Sequence, residues 1–279
     1  MNIQFSKMHG LGNDFVVIDA ISQTINLSIE QIRFIADRHF GVGCDQLLLV
    51  EKTALSDIDF RYRIFNSDGG EVEQCGNGAR CFARFVRDKG LTDKNKIRVE
   101  TQNGIIELLI DASENVTVDM GLPNFEPSSL PMVTDNLDCG AANKYGLTIN
   151  ANKIEFGAVS MGNPHAVLLV DDIQNCQLNT LGPVLESHAV FPNRVNVGFM
   201  QVVDRQHIKL RVFERGVGET QACGTGACAA VAIAQQWGLA GEDVQVQLPG
   251  GRLQILHKEG ASVFLIGDAV FVYDGQISL

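Results

Sequence analysis

Short apolar runs, bounded by polar positions, punctuate this chain. Phe15-Val16-Val17-Ile18 and Ala166-Val167-Leu168-Leu169-Val170 have the length and β-branched content of buried strands. Ser28-Ile29-Glu30-Gln31 has the spacing of a capping box. It predicts a helix with Ile29, Ile32, Ile35 and Ala36 on one face, closed near Gly41. A second helix is predicted from about 78 to 89, stopping at Gly90, and its counterpart from about 226 to 237, stopping at Gly238. Both have glycine where a left-handed C-terminal cap is needed. The later helix, with Ala229-Ala230-Val231-Ala232-Ile233-Ala234, is apolar all round and reads as buried. The earlier one carries Arg80, Arg84 and Arg87 and reads as having a polar face. No apolar run approaches the ~18 residues of a membrane span.

The pattern repeats. Arg63-Ile64-Phe65-Asn66 is echoed 148 positions later by Arg211-Val212-Phe213-Glu214. At the same offset Glu71 matches Glu219, and Cys75-Gly76-Asn77-Gly78-Ala79 becomes Cys223-Gly224-Thr225-Gly226-Ala227. Gly12-Asn13 matches Gly162-Asn163, and Gln46 matches Asn196, each at 150. Residues 99–104 match 246–251 at 147. Echoes in order at a nearly constant offset point to an internal duplication. Two copies are too few for a solenoid and predict two similar lobes. Residues 123–152 match nothing in the first half and are read as holding the crossing between lobes. A strand at 269–273 lies beyond the second repeat and is expected to pair with the first lobe. The expected lobes are 1–121 plus 268–279, and 122–267.

Composition excludes several classes. With 279 residues, 45% hydrophobic and 20% charged, the chain is globular rather than disordered, collagen-like or coiled-coil. A net charge of −11 argues against nucleic acid as a partner. Met1-Asn2-Ile3-Gln4-Phe5 lacks the basic start of a secretory signal. Seven cysteines, an odd number, suit a reduced cytoplasmic protein.

Cys75 and Cys223 carry the candidate chemistry. Each precedes Gly-x-Gly and a predicted helix start. Unpaired N–H groups and partial positive charge there form an anion site and lower a neighbouring thiol's pKa. Each half thus offers a thiol beside a carboxylate cradle. Thiols on opposite faces of one carbon suit stereoinversion, with helix ends stabilising the developing charge. Cys44, Cys81, Cys139, Cys176 and Cys228 are read as structural. The spacings Cys75-x5-Cys81 and Cys223-x4-Cys228 are not usual zinc pairs, so no metal is expected. A thiol redox or metal-binding protein is the alternative of a different class.

Met8-His9-Gly10-Leu11-Gly12-Asn13-Asp14-Phe15, Gln74-Cys75-Gly76-Asn77-Gly78-Ala79-Arg80, Met161-Gly162-Asn163-Pro164-His165, Ala222-Cys223-Gly224-Thr225-Gly226-Ala227 and Tyr273-Asp274-Gly275 together resemble the diaminopimelate epimerase family over the whole chain. The resemblance implies an α+β fold of two pseudo-symmetric lobes, each a curved mixed sheet around a central helix, with the active site in the cleft between them. It implies interconversion of LL- and meso-2,6-diaminoheptanedioate, in lysine and peptidoglycan precursor synthesis, without pyridoxal phosphate or another cofactor. It makes Cys75 and Cys223 the acid–base pair. It places substrate contacts at Asn13, Gln46, Asn66, Gly76, Asn77, Asn163, Asn196, Glu214, Arg215, Gly224 and Thr225, with His165 and Glu214 tuning the cysteines. It also implies a homodimer with Tyr273 at the interface. Arg215 suits the substrate's remote carboxylate, and Glu214 its remote ammonium. A racemase or isomerase of another small amino or hydroxy acid is the near alternative; it would leave Glu214 and Arg215 unpaired.

Overall fold

The computed structural model describes residues 1–72, 75–135, 137–149 and 151–279. Gln74 of the first cysteine signature lies outside them. The chain divides into two compact units, Met1–Asp119 with Ile266–Leu279, and Met120–Leu265. Both are α+β, each a mixed sheet packed on a central helix. No helix among the described residues is long and apolar enough to cross a membrane.

The first unit contains β1 (Asn2–Gly10), β2 (Asn13–Asp19), β3 (Gln46–Glu51), β4 (Phe60–Asn66), β5 (Glu71–Val72), β6 (Lys96–Thr101), β7 (Gly104–Ile110) and β8 (Val116–Asp119). Helix α1 (Ile29–Ala36) connects β2 to β3, and α2 (Gly76–Asp88) lies between β5 and β6. Strands β2 and β3 are parallel, as are β4 and β6; a parallel step needs such a crossover. The other pairings, β1–β2, β3–β4, β6–β7 and β7–β8, are antiparallel. Val16, Ile18, Leu47 and Leu49 pack with Ile32 and Ile35 of α1. The intervening Val17, Leu48 and Val50 are equally buried, and α2 contacts these same strands. Helices on both faces explain why the strand sequences are continuously apolar rather than alternating.

The second unit repeats this plan. It contains β9 (Asp138–Cys139), β10 (Lys144–Ile149), β11 (Asn152–Ser160), β12 (Pro164–Leu169), β13 (Asn196–Asp204), β14 (His207–Glu214), β15 (Gly218–Glu219), β16 (Asp243–Leu248) and β17 (Gly251–His257), with α3 (Leu178–Glu186) and α4 (Gly224–Gln236). Strand β18 (Val263–Gly267) spans the boundary, and β19 (Val270–Ser278) belongs to the first unit. The duplication is kept to the residue in register. Phe15 opposite Gln46 corresponds to His165 opposite Asn196, and Leu47 opposite Phe65 to Val197 opposite Phe213. The Arg63–Glu71 ion pair, 2.7 Å, recurs as Arg211–Glu219, also 2.7 Å.

The terminal strand pairs with the first unit as expected: β19 lies antiparallel to β1. In the second unit β10 lies antiparallel to β11, so two segments outside the sequence repeat fill the same place in each sheet. Three expectations need correction. Ile29 is 52% exposed, and α1 ends at Ala36 instead of near Gly41; Asp37 accepts the His39 and Phe40 N–H groups beyond it. Arg80 is fully buried while Arg84 and Arg87 are half-buried, so the arginine stripe on α2 is a solvated face only in part. Helix α3 has no counterpart in the sequence reading, because Pro183 inside it removes a helical donor and hides the period.

Candidate active site

Glycine turns set the first site residue of each copy. Gly12 and Gly162 have φ of 85° and 87°, a left-handed conformation that glycine adopts without strain. They deliver Asn13 to the start of β2 and Asn163 to the position just before β12. The two helices then begin two residues earlier than the pattern predicted, at Gly76 and Gly224, which makes Cys75 and Cys223 their N-cap residues. Each sits at the electropositive end of a 13-residue helix.

In the first unit Asn13, Cys75 and Asn77 meet. The Cys75 Sγ lies 3.7 Å from Asn13 Oδ1, which also accepts from Asn77 Nδ2 at 3.1 Å. The amide orientations follow from the ends of this string. Arg80 can only donate, and its Nη1 lies 3.1 Å from Asn77 Oδ1. The Asp45 carboxylate accepts from Asn13 Nδ2 at 3.0 Å. A donor at one end and an acceptor at the other turn the Asn13 carbonyl toward the thiol. Gln46 Nε2 donates to Asn66 Oδ1 at 2.9 Å. Beneath the helix start, the buried Tyr62 hydroxyl lies 3.5 Å from the Cys75 carbonyl oxygen. Burial pushes its phenol well up, and Cys75 and Cys81 add to the effect.

In the second unit His165, Asn163, Thr225, Cys223 and Glu214 form a continuous string. His165 Nε2 is 3.0 Å from Asn163 Oδ1, Asn163 Nδ2 is 3.3 Å from Thr225 Oγ1, and Thr225 Oγ1 is 3.7 Å from Cys223 Sγ. With the Asn163 amide donating to Thr225, its carbonyl takes the imidazole Nε2 hydrogen. His165 is fully buried and its Nδ1 has no hydrogen-bond partner among the described residues. Burial pushes it down to about 3, with Arg215 adding to the effect. It is a neutral imidazole at physiological pH. On the other side, Glu214 reaches Cys223 and accepts from the Thr220 hydroxyl.

A helix N-terminus by itself lowers a thiol's pKa. At Cys223 the balance runs the other way. Burial and then the Glu214 carboxylate raise it well above the ordinary thiol range, outweighing the Thr225 hydroxyl and the Gly226 N–H. A thiol packed at 4% exposure against a carboxylate stays protonated.

Asn196 and Arg215 also meet, by the backbone. Asn196 Oδ1 accepts the Arg215 N–H at 2.9 Å, and Asn196 Nδ2 donates to the Pro164 carbonyl at 3.1 Å. Tyr273 stands apart on β19, 44% exposed, with its ring edge-on to Phe5. Asp45, Arg80, Tyr62 and Thr220 were not singled out as site residues by sequence reasoning. Only Arg80 gave a signal, as part of a stripe, and the pattern assigned it to the wrong environment. Among the described residues no three His, Cys, Asp or Glu side chains converge on a metal position.

A family model for diaminopimelate epimerase matches residues 5–126 and 157–272. Among solved structures, a PhzF-family phenazine biosynthesis protein of Bacillus anthracis is similar with a TM-score of 0.70 at 17% identity, covering 100% of both chains. A hydroxyproline epimerase from Agrobacterium vitis, with bound trans-4-hydroxy-L-proline, gives 0.71 at 14% identity over 100% of this chain and 93% of that one. At these identities the likeness is one of fold.

Proposed function

The chain belongs to the diaminopimelate epimerase family of isomerases, and from that premise we propose that it interconverts LL- and meso-2,6-diaminoheptanedioate without a cofactor. The observation that carries this reading is the duplicated N-cap cysteine, Cys75 and Cys223, each at a helix start in the same register of its unit. One thiolate takes the α-proton and the other thiol returns a proton to the opposite face of the same carbon. No net proton is consumed. The N–H groups of Gly76 and Asn77, and of Gly224 and Thr225, hold the α-carboxylate and stabilise the charge that develops on it. Cys223, kept protonated by burial and Glu214, starts as the acid in one direction. Microscopic reversibility gives it the other role in reverse.

The substrate assignment rests on Glu214 and Arg215. The Arg215 guanidinium offers a planar fork for a second carboxylate, and Asn13, Gln46, Asn66, Asn163 and Asn196 supply donors and acceptors for polar ends. A site of this kind discriminates strongly against ligands that leave its polar groups unmatched. The same reading makes the protein cytoplasmic and a homodimer through Tyr273.

The test is incubation with LL-diaminopimelate in deuterated water under reducing conditions, with no cofactor added. The expected product is the meso isomer carrying deuterium at the inverted carbon, and both Cys75→Ala and Cys223→Ala should abolish it. Exchange into proline or hydroxyproline, with none into diaminopimelate, would move the assignment to a related racemase.

A further inference from the structure

Residues 214–217 form a tight turn at the end of β14. The Val217 N–H donates to the Glu214 carbonyl at 3.1 Å, and Gly216, third in the turn, has φ 74°. Residue 216 must therefore be glycine-like, while Arg215 occupies the exposed tip. Closing such a turn leaves the two tip N–H groups without partners inside it. Both are taken by side chains from elsewhere in the unit. Asn196 accepts the Arg215 N–H at 2.9 Å, and Glu186 Oε1 accepts the Gly216 N–H at 2.9 Å.

Glu186 is the last residue of α3 and only 4% exposed. Its backbone carbonyl accepts the Val195 N–H at 3.1 Å, and Arg194 Nη1 approaches the same Oε1 at 3.3 Å. A carboxyl this buried is costly unless it is hydrogen-bonded. Here Oε1 is shared between Arg194 and, at the shorter distance, the turn that carries Arg215. The first copy uses the same device with opposite polarity. Its turn closes by the Gly69 N–H on the Asn66 carbonyl, and Arg33 of α1 donates to the Asp68 carbonyl at the tip. In both units the flanking helix holds the turn, but only the second turn presents a guanidinium.

We propose that Glu186 is a positioning residue: by holding the Gly216 N–H it fixes the turn that aims Arg215 at the distal carboxylate of a dicarboxylic substrate. The role of Arg215 in this statement rests on the function proposed above; the clamp itself does not.

The test uses the full-length protein and two variants that preserve the volume at this buried position. Glu186→Gln keeps an acceptor for the Gly216 N–H, and Glu186→Met removes it. Residue-resolved hydrogen exchange reads the clamp without any substrate. Exchange at the Gly216 amide should speed up by about tenfold or more in Glu186→Met and stay near wild type in Glu186→Gln. In steady-state kinetics KM for LL-diaminopimelate should rise by about fivefold or more in Glu186→Met with a smaller change in kcat, and Glu186→Gln should recover it. Unchanged exchange at Gly216 in Glu186→Met overturns the clamp. Faster exchange with unchanged KM overturns its link to the substrate. A wild-type protein that leaves diaminopimelate untouched defeats the assigned reaction, while the exchange data still decide the clamp.

Discussion

Replacing Gly78 by alanine tests whether the Cys75 helix is seated on Tyr62. A Cβ at residue 78 would stand 2.7 Å from the Tyr62 hydroxyl oxygen and 3.3 Å from both Ile64 Cδ1 and Phe15 Cε1. Tyr62 is 2% exposed and packs edge-on to Phe82 at 5.2 Å, so its ring has no free path away. Overpacking of this kind costs about 1–3 kcal/mol. Alanine recovers up to about 1 kcal/mol of helix propensity over glycine. The net expectation is a loss of roughly 0.5–2 kcal/mol in urea unfolding. Removing the obstructing atom should rescue it. Tyr62→Phe alone gives up only a 3.5 Å contact to the Cys75 carbonyl, a change of about 1 kcal/mol at most. In the Gly78→Ala background it should return about 1 kcal/mol or more. If the single and double variants unfold at the same urea concentration, the hydroxyl is not what excludes the methyl group.

Two further predictions concern charge and assembly. His165 is held down to about 3 by burial, below its ordinary value near 6.5. Below pH 6.5 the unfolded chain takes up a proton that the folded one refuses, so stability present above pH 6.5 is lost as the pH falls toward 3, by up to about 1.4 kcal/mol per pH unit. His165→Gln retains an amide donor for Asn163; its urea midpoint should drop less than wild type between pH 7 and pH 5, and equal drops would refute the assignment. Val270, Phe271, Val272 and Tyr273 are four consecutive apolar residues 37–50% exposed on β19. If they form the dimer face, Tyr273→Glu should sediment as a monomer, and a wild type already monomeric at micromolar concentration would refute it.

Much of the fold was legible because the duplication supplied an internal alignment. Gln46 and Asn196 were paired by sequence offset alone, and the sheet places each opposite its partner, Phe15 and His165. The cysteines were legible as helix starts because glycine spacing and C-terminal glycines bracket the helices. What escaped was decided by three-dimensional surroundings. Arg80 looks like a surface residue in a stripe, yet its Nε donates to the Asp268 carbonyl at 2.9 Å, nearly 190 positions away. Glu186 was invisible because its helix carries a proline and the partner that matters, the Gly216 N–H, is a backbone group. The raised Cys223 thiol escaped for the same reason. A helix end is written in the local sequence, whereas desolvation and a carboxylate brought in by β14 are not.

The divergence between the copies follows from the chemistry assigned to them. One α-carbon has two faces, so a two-base reaction needs a thiol and a helix end twice, and both copies keep the cysteine, the following glycines and the asparagine. On the function proposed above, the distal amino-acid end of the bound substrate is met once. Only one copy therefore needs a charged clasp, and the equivalent turns diverge accordingly: Asn66-Ser67 in the first, Glu214-Arg215 in the second. Glu214 lies against Cys223 and helps to keep it protonated. The shared asparagine is used differently in the two copies. Asn13 turns its carbonyl to the Cys75 thiol between Asp45 and Arg80. Asn163 gives its carbonyl to His165 and its amide to Thr225. Backbone register is common to the two copies, and side chains part at the turn that, on the function proposed above, meets one end of the bound substrate.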